Sequence, residues 1–103
     1  MALLPEFFPD IEGFQWDEGN SSKNWKRHQV SQTEAEQVFL NRPVVGSSAR
    51  ARPAGEARYR ALGRTDAGLM LVVVFTLRES LLRIISARPM SRRERRDYAQ
   101  AIG

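Results

Sequence analysis

The 103-residue chain has no cysteine, which excludes disulfides, thiolate nucleophiles, zinc fingers and iron–sulfur clusters. It has a single histidine, His28, so a metal site would have to rest mostly on carboxylates. Lysine is scarce as well, with Lys23 and Lys26 its two occurrences. No apolar run approaches the roughly 20 residues of a membrane span. The opening Met1-Ala2-Leu3-Leu4-Pro5-Glu6 lacks the basic start and long apolar stretch of a signal peptide. The expectation is a cytoplasmic protein with no membrane association. Searches for a P-loop, a GxGxxG turn and a Gly-x-Ser-x-Gly elbow find nothing. The paired carboxylates Asp17-Glu18 and Glu34/Glu36 lack a complementary cluster, which argues against a two-metal nuclease. Neither cofactor nor metal is expected.

What the chain does have is arginine, unevenly placed. Residues 1–41 hold three basic and seven acidic groups, and residues 42–103 hold thirteen basic and five acidic ones. All thirteen of the latter bases are arginine. A guanidinium offers a planar fork matched to phosphate or carboxylate, so this half points to nucleic acid or an acidic protein. A codon bias toward arginine explains the residue type but not its concentration.

The length fits one domain, and 42% hydrophobic residues suffice for one core. Residues 1–13 read as a loosely ordered lead-in, and 14–103 as a single domain. Phe14-Gln15-Trp16-Asp17 predicts a short strand, and residues 17–28 a short helix with Trp25 inward. Ser31-x-x-Glu34 is a capping box opening a helix from about 32 to 40, ended before Pro43. Strands are predicted from Val44-Val45, over 58–64, over the unbroken apolar run 69–75, and over 81–87. Turns fall at 52–55, 65–68 and 78–80. Ser91-x-x-Glu94 is a second capping box, opening a final helix to about 101. The order β-α-α-β-β-β-β-α predicts an α+β fold, with helices packed on a small antiparallel or mixed sheet.

Strict alternation puts Arg58, Arg60 and Arg64 on one face of their strand. In the strand over 81–88 it puts Arg83 with Leu81, Ile85 and Ala87, and Arg88 with Ser86 opposite. Arg83 in so apolar a strand needs a partner such as Glu79 or Glu94, a route to the sheet edge, or a bound anion. Arg92, Arg93, Arg95 and Arg96 crowd the start of the last helix, where the macrodipole disfavours cations; they form a solvated face or an anion site. Tyr98, Ala99 and Ile102 form a stripe suited to packing. His28 is structural, or it serves as a proton-transfer group near neutral pH.

The residues Phe14-x-Trp16-Asp17, then Lys23-Asn24-x-x-Arg27-His28-x-Val30-Ser31-x-x-Glu34-Ala35-x-x-Val38-Phe39, resemble the opening of the BrnT family of bacterial toxins. Arg58-x-x-x-Leu62-Gly63, the 71–76 strand, Arg83-Ile-Ile-Ser-Ala-Arg88 and Glu94-Arg95-x-x-Tyr98 are similar to its second half. Two positions depart from the family pattern: Arg27 stands where Lys is usual, and Gln29 where Gly is usual. The resemblance implies a RelE-like fold and a metal-independent endoribonuclease that cleaves mRNA and inhibits translation. It also implies a BrnA-type antitoxin, a possible toxin–antitoxin heterotetramer, and operator DNA binding through that complex alone. Carried onto this sequence, the catalytic candidates are His28, Arg83, Arg88, Glu94 and Tyr98. His28 or Glu94 would be the base, and Tyr98 an acid or stacking platform. RNA-binding candidates are Lys23, Lys26, Arg58, Arg64 and Arg95. A different class also fits: a non-catalytic basic partner that binds an antitoxin and co-represses operator DNA.

Overall fold

The structure, a computed structural model, describes residues 12–16, 28–41, 43–47, 58–78 and 80–102. In chain order the elements are β1 (Gly13–Gln15), α1 (Gln32–Leu40), β2 (Val44–Ser47), β3 (Tyr59–Arg64), β4 (Met70–Arg78), β5 (Leu81–Pro89) and α2 (Arg92–Ile102). The helix expected over 17–28, the turn at 52–55 and most of the lead-in lie outside the described residues.

The strands form one sheet in the order β1-β5-β4-β3-β2. From β2 to β5 every pairing is antiparallel, while β1 runs parallel to β5. The sheet begins one residue ahead of expectation, at Gly13, and Glu12 donates its backbone N–H to the Ser80 carbonyl at 2.8 Å. The unbroken apolar run of β4 follows from its position. It lies between β3 and β5, and Leu71, Val72, Val73, Phe75 and Thr76 are all buried, on both faces.

Helix α1 covers one face. Its capping box forms, with Ser31 Oγ accepting from the Glu34 N–H and Glu34 accepting from the Ser31 N–H. Ala35, Val38 and Phe39, at helical spacing, pack with Val30 onto Ala61, Leu71, Val73, Phe75, Leu82, Ile84 and Ala87. Phe39 meets Phe75 edge-on, with ring centroids 5.1 Å apart. Trp16 is tied to α1 by its indole N–H, which donates to Glu36 at 2.6 Å.

Helix α2 covers one end of the opposite face. Tyr98 and Met90 pack there with Leu62 and Val72, flanked by Val44 and Met70. Beyond α2 the second face carries Arg60, Val74, Thr76, Arg83, Ser86 and Gln15.

A bulge corrects the expected faces of β5. The register runs Val74↔Ser86 and then Phe75↔Ile84, so Ile85 is the extra residue. Leu82, Ile84 and Ala87 are buried on the α1 side, whereas Arg83, Ser86 and Arg88 share the second face. Alternation alone had separated Arg83 from Arg88; the bulge joins them.

Candidate functional site: an arginine face on the sheet

The second face is built in rows across the strands, in which Leu62, Val72 and Thr76 are buried while Arg60 and Arg88 reach solvent. Leu62, Val72 and Arg88 form one row, Arg60, Val74 and Ser86 the next, and Thr76, Arg83 and Gln15 a third. Arginines from β3 and β5 therefore flank β4 on a surface with one described acidic group, Glu94 at the start of α2. Arg58 stands just ahead of β3, its Nε shielded from solvent without a hydrogen-bond partner.

Glu94 organises the cluster. Arg88 donates from Nη1 to Oε1 at 2.7 Å and from Nη2 to Oε2 at 2.8 Å, the parallel geometry of a bidentate pair. Arg60 Nη1 lies 3.9 Å from Oε2, an ion pair across two elements. The same carboxylate accepts the Ser91 N–H at 2.8 Å while Ser91 Oγ accepts the Glu94 N–H, so the second capping box forms as read. The Arg88 guanidinium and the Ser91 donors hold the Glu94 carboxyl down to about 2, against the rise that its burial alone would cause. Arg88 is pushed up in turn, chiefly by its hydrogen bonds to Glu94.

The remaining candidates are dispersed. Tyr98 is 4% exposed within the apolar cluster under α2, which makes it a packing residue and leaves it poorly placed as an acid or stacking platform. Glu94, committed to Arg88 and Ser91, is poorly placed as a base. His28 is half-buried ahead of the core residue Val30, and no hydrogen bond or ion pair among the described residues joins it to the arginine face. Arg64 is exposed at the far end of β3, separated from Arg60 by the Leu62 row that α2 covers. Arg95 is exposed on α2 and donates back to the Met90 carbonyl at 3.2 Å. Lys23 and Lys26 lie outside the described residues. Among the described residues, the ion pairs of Glu94 go to Arg88 and Arg60 rather than to Arg83.

Arg60 belongs to the site and was absent from the sequence-based candidates, although its spacing from Arg58 was the available signal. Thr76 and Gln15 join it through register, which the sequence did not expose. Among the described residues no three His, Asp or Glu side chains gather as a metal site would need. A planar, cationic, partly buried surface of this kind suits an anion with several oxygens, and a phosphodiester in particular.

A family model described as the ribonuclease toxin BrnT of type II toxin–antitoxin systems matches residues 16–94. No curated protein matches the chain in sequence. Among solved structures, the crystal structure of the Brucella abortus ribonuclease toxin BrnT is similar, with a TM-score of 0.57 and 21% identity. That match covers 78% of this chain and 97% of the Brucella protein, and at such identity it speaks for the fold.

Proposed function

Because the chain belongs to the BrnT family of type II toxin ribonucleases, we propose that it is a metal-independent endoribonuclease that cleaves mRNA on its arginine face and thereby inhibits translation. The observation that carries this reading is the gathering of Arg60, Arg83 and Arg88 on one sheet face with Arg88 held by Glu94. In such a reaction the 2′-oxygen loses its proton and forms a bond to phosphorus, the bond to the 5′-oxygen breaks, that oxygen leaves as a hydroxyl with a proton from solvent, and a 2′,3′-cyclic phosphate remains. Guanidinium groups stabilise the charge that develops on the phosphorane, an effect often worth a few kcal/mol per donor. Arg83 and Arg60 are assigned to the phosphate, and Arg88 to its far side. Glu94 is committed to Arg88 and Ser91, and His28 precedes Val30 of the α1-side core, so the 2′-hydroxyl proton is assigned to solvent at the arginine face.

The family implies an antitoxin partner. We propose a BrnA-type antitoxin whose acidic segment covers the arginine face, with operator DNA engaged through the complex. The exposed Arg92, Arg93 and Arg96 on α2 extend the basic surface such a segment would meet.

The deciding experiment is incubation of the purified chain with RNA in EDTA, beside an Arg83→Ala control. Fragments from the native chain and none from the control support the reading. Activity that vanishes in EDTA and returns with magnesium overturns metal independence. Equal cleavage by Arg83→Ala removes the arginine face from the chemistry.

A further inference from the structure

Glu94 sits at the junction of the first turn of α2 and the second face of the sheet, where Met90 and Ser91 alone separate β5 from the helix. Its Oε1 accepts from Arg88 Nη1 at 2.7 Å and from the Ser91 N–H at 2.8 Å. Its Oε2 accepts from Arg88 Nη2 at 2.8 Å and faces Arg60 Nη1 at 3.9 Å. The side chain is 13% exposed. With three of its roughly four acceptor sites taken by donors and the fourth facing Arg60, the carboxylate is poorly placed to receive a proton from a substrate hydroxyl.

The arginine has capacity left over. Arg88 Nη1 spends its two hydrogens on Glu94 and on the Pro89 carbonyl at 3.2 Å, and Nη2 spends one on Glu94. A guanidinium has five N–H donors, so Nε–H and the second Nη2 hydrogen remain. Those two form the side edge of the planar group, a second fork suited to two phosphate oxygens.

We propose that Glu94 is a positioning residue: by gripping the end of the Arg88 guanidinium and attracting Arg60, it presents the side fork of Arg88 to an RNA phosphate and ties that presentation to the start of α2. The proposal rests on the ribonuclease reading above and assigns Glu94 a role other than that of base. It also explains why four arginines are tolerated at the start of α2, since the residue that caps the helix is anchored on the sheet.

Glu94→Gln isolates the effect. Glutamine serves at the third position of a capping box, so the helix start is kept while the charge that holds the arginines is removed. On an RNA that the native chain cleaves, Glu94→Gln is expected to lower kcat about 10- to 100-fold, the scale of a misplaced catalytic group, with no rise in KM. The shape of the pH–rate profile should be unchanged, and Glu94→Asp, which keeps the charge, should recover part of the rate. Loss of the acid limb of that profile in Glu94→Gln would instead identify a base, and native-like turnover would reduce Glu94 to a structural cap. The arginine side-chain NMR spectrum gives a second readout that needs no activity. Native Arg88 should show slowed guanidinium rotation that Glu94→Gln releases, and unchanged rotation overturns the proposal. Absence of cleavage by the native chain itself counts against the ribonuclease reading, leaving the NMR comparison to decide the role of Glu94.

Discussion

Val38 of α1 occupies the space that a side chain on Gly63 of β3 would need. A Cβ built on Gly63 would lie 2.7 Å from Val38 Cγ1 and 3.3 Å from the Val38 carbonyl oxygen. This close approach lets α1 lie flat on the sheet beside Pro43. Gly63→Ala should therefore push the helix outward and destabilise the protein by about 1–3 kcal/mol, the usual cost of overpacking. Urea unfolding measures it, and Gly63→Ala paired with Val38→Ala should lose less stability than the sum of the two single losses.

Gln29 has φ 56°, in the left-handed region that non-glycine residues enter at a cost of roughly 1–2 kcal/mol. This gives a backbone reason for the glycine usual at this position in the family. Gln29→Gly should stabilise the fold by about 0.5–1 kcal/mol once the greater freedom of glycine in the unfolded chain is subtracted. Gln29→Val should lower Tm.

The carboxyl of Glu94 is depressed from 4.5 to about 2 in the folded chain. A depressed acid contributes stability that is complete above its unfolded pKa and lost as pH falls through the folded one. The stability contributed by the Arg88–Glu94 pair should thus begin to fall near pH 4.5 and be lost as pH drops through about 2. Chemical denaturation across that window should show a steeper decline for the native chain than for Glu94→Gln.

Tyr98→Phe retains the ring that packs against Leu62, Val72 and Met90, so both Tm and RNA cleavage should stay close to native. Tyr98→Ala removes the one buried side chain of α2 and should cost about 3–5 kcal/mol, as large core truncations do. Loss of turnover in Tyr98→Phe without loss of stability would return the hydroxyl to the chemistry.

Arg60, with half of its side chain exposed, is assigned a phosphate contact. Binding of single-stranded RNA should weaken with salt at a log–log slope near −0.7 per phosphate, and Arg60→Ala should flatten that slope by about 0.7. An unchanged slope would place the RNA elsewhere.

Much of the architecture could be read from local chemistry. Both capping boxes, Ser31 with Glu34 and Ser91 with Glu94, mark true helix starts, because each satisfies donors that its own helix cannot. The run from Leu71 to Phe75 announces a strand covered on both sides. The site was harder to read. In Leu81-Leu82-Arg83-Ile84-Ile85-Ser86 apolar residues stand at both parities, so nothing local reveals that Ile85 is extra, and the faces of Arg83 and Arg88 invert with that one residue. The parallel pairing of β1 is equally hidden, since its partner lies far along the chain. Tyr98 carried two readings, and its burial against Leu62, Val72 and Met90 follows from the tertiary position of α2, which no local pattern reveals.

That parallel strand has a further consequence, in time rather than in space. Strands β2 to β5 join neighbour to neighbour, so each pairing closes a modest stretch of chain. The β1–β5 edge is different: the Glu12–Ser80 contact beside it spans 68 residues. Closure over such a separation is slow compared with hairpin formation. A ribosome releases β1 well before β5, so β1 must wait for its neighbour while the strands between them are made. The row that sets Arg83 beside Gln15 is complete when that pairing closes, so a nascent chain lacks the finished arginine face until β5 has emerged and met β1.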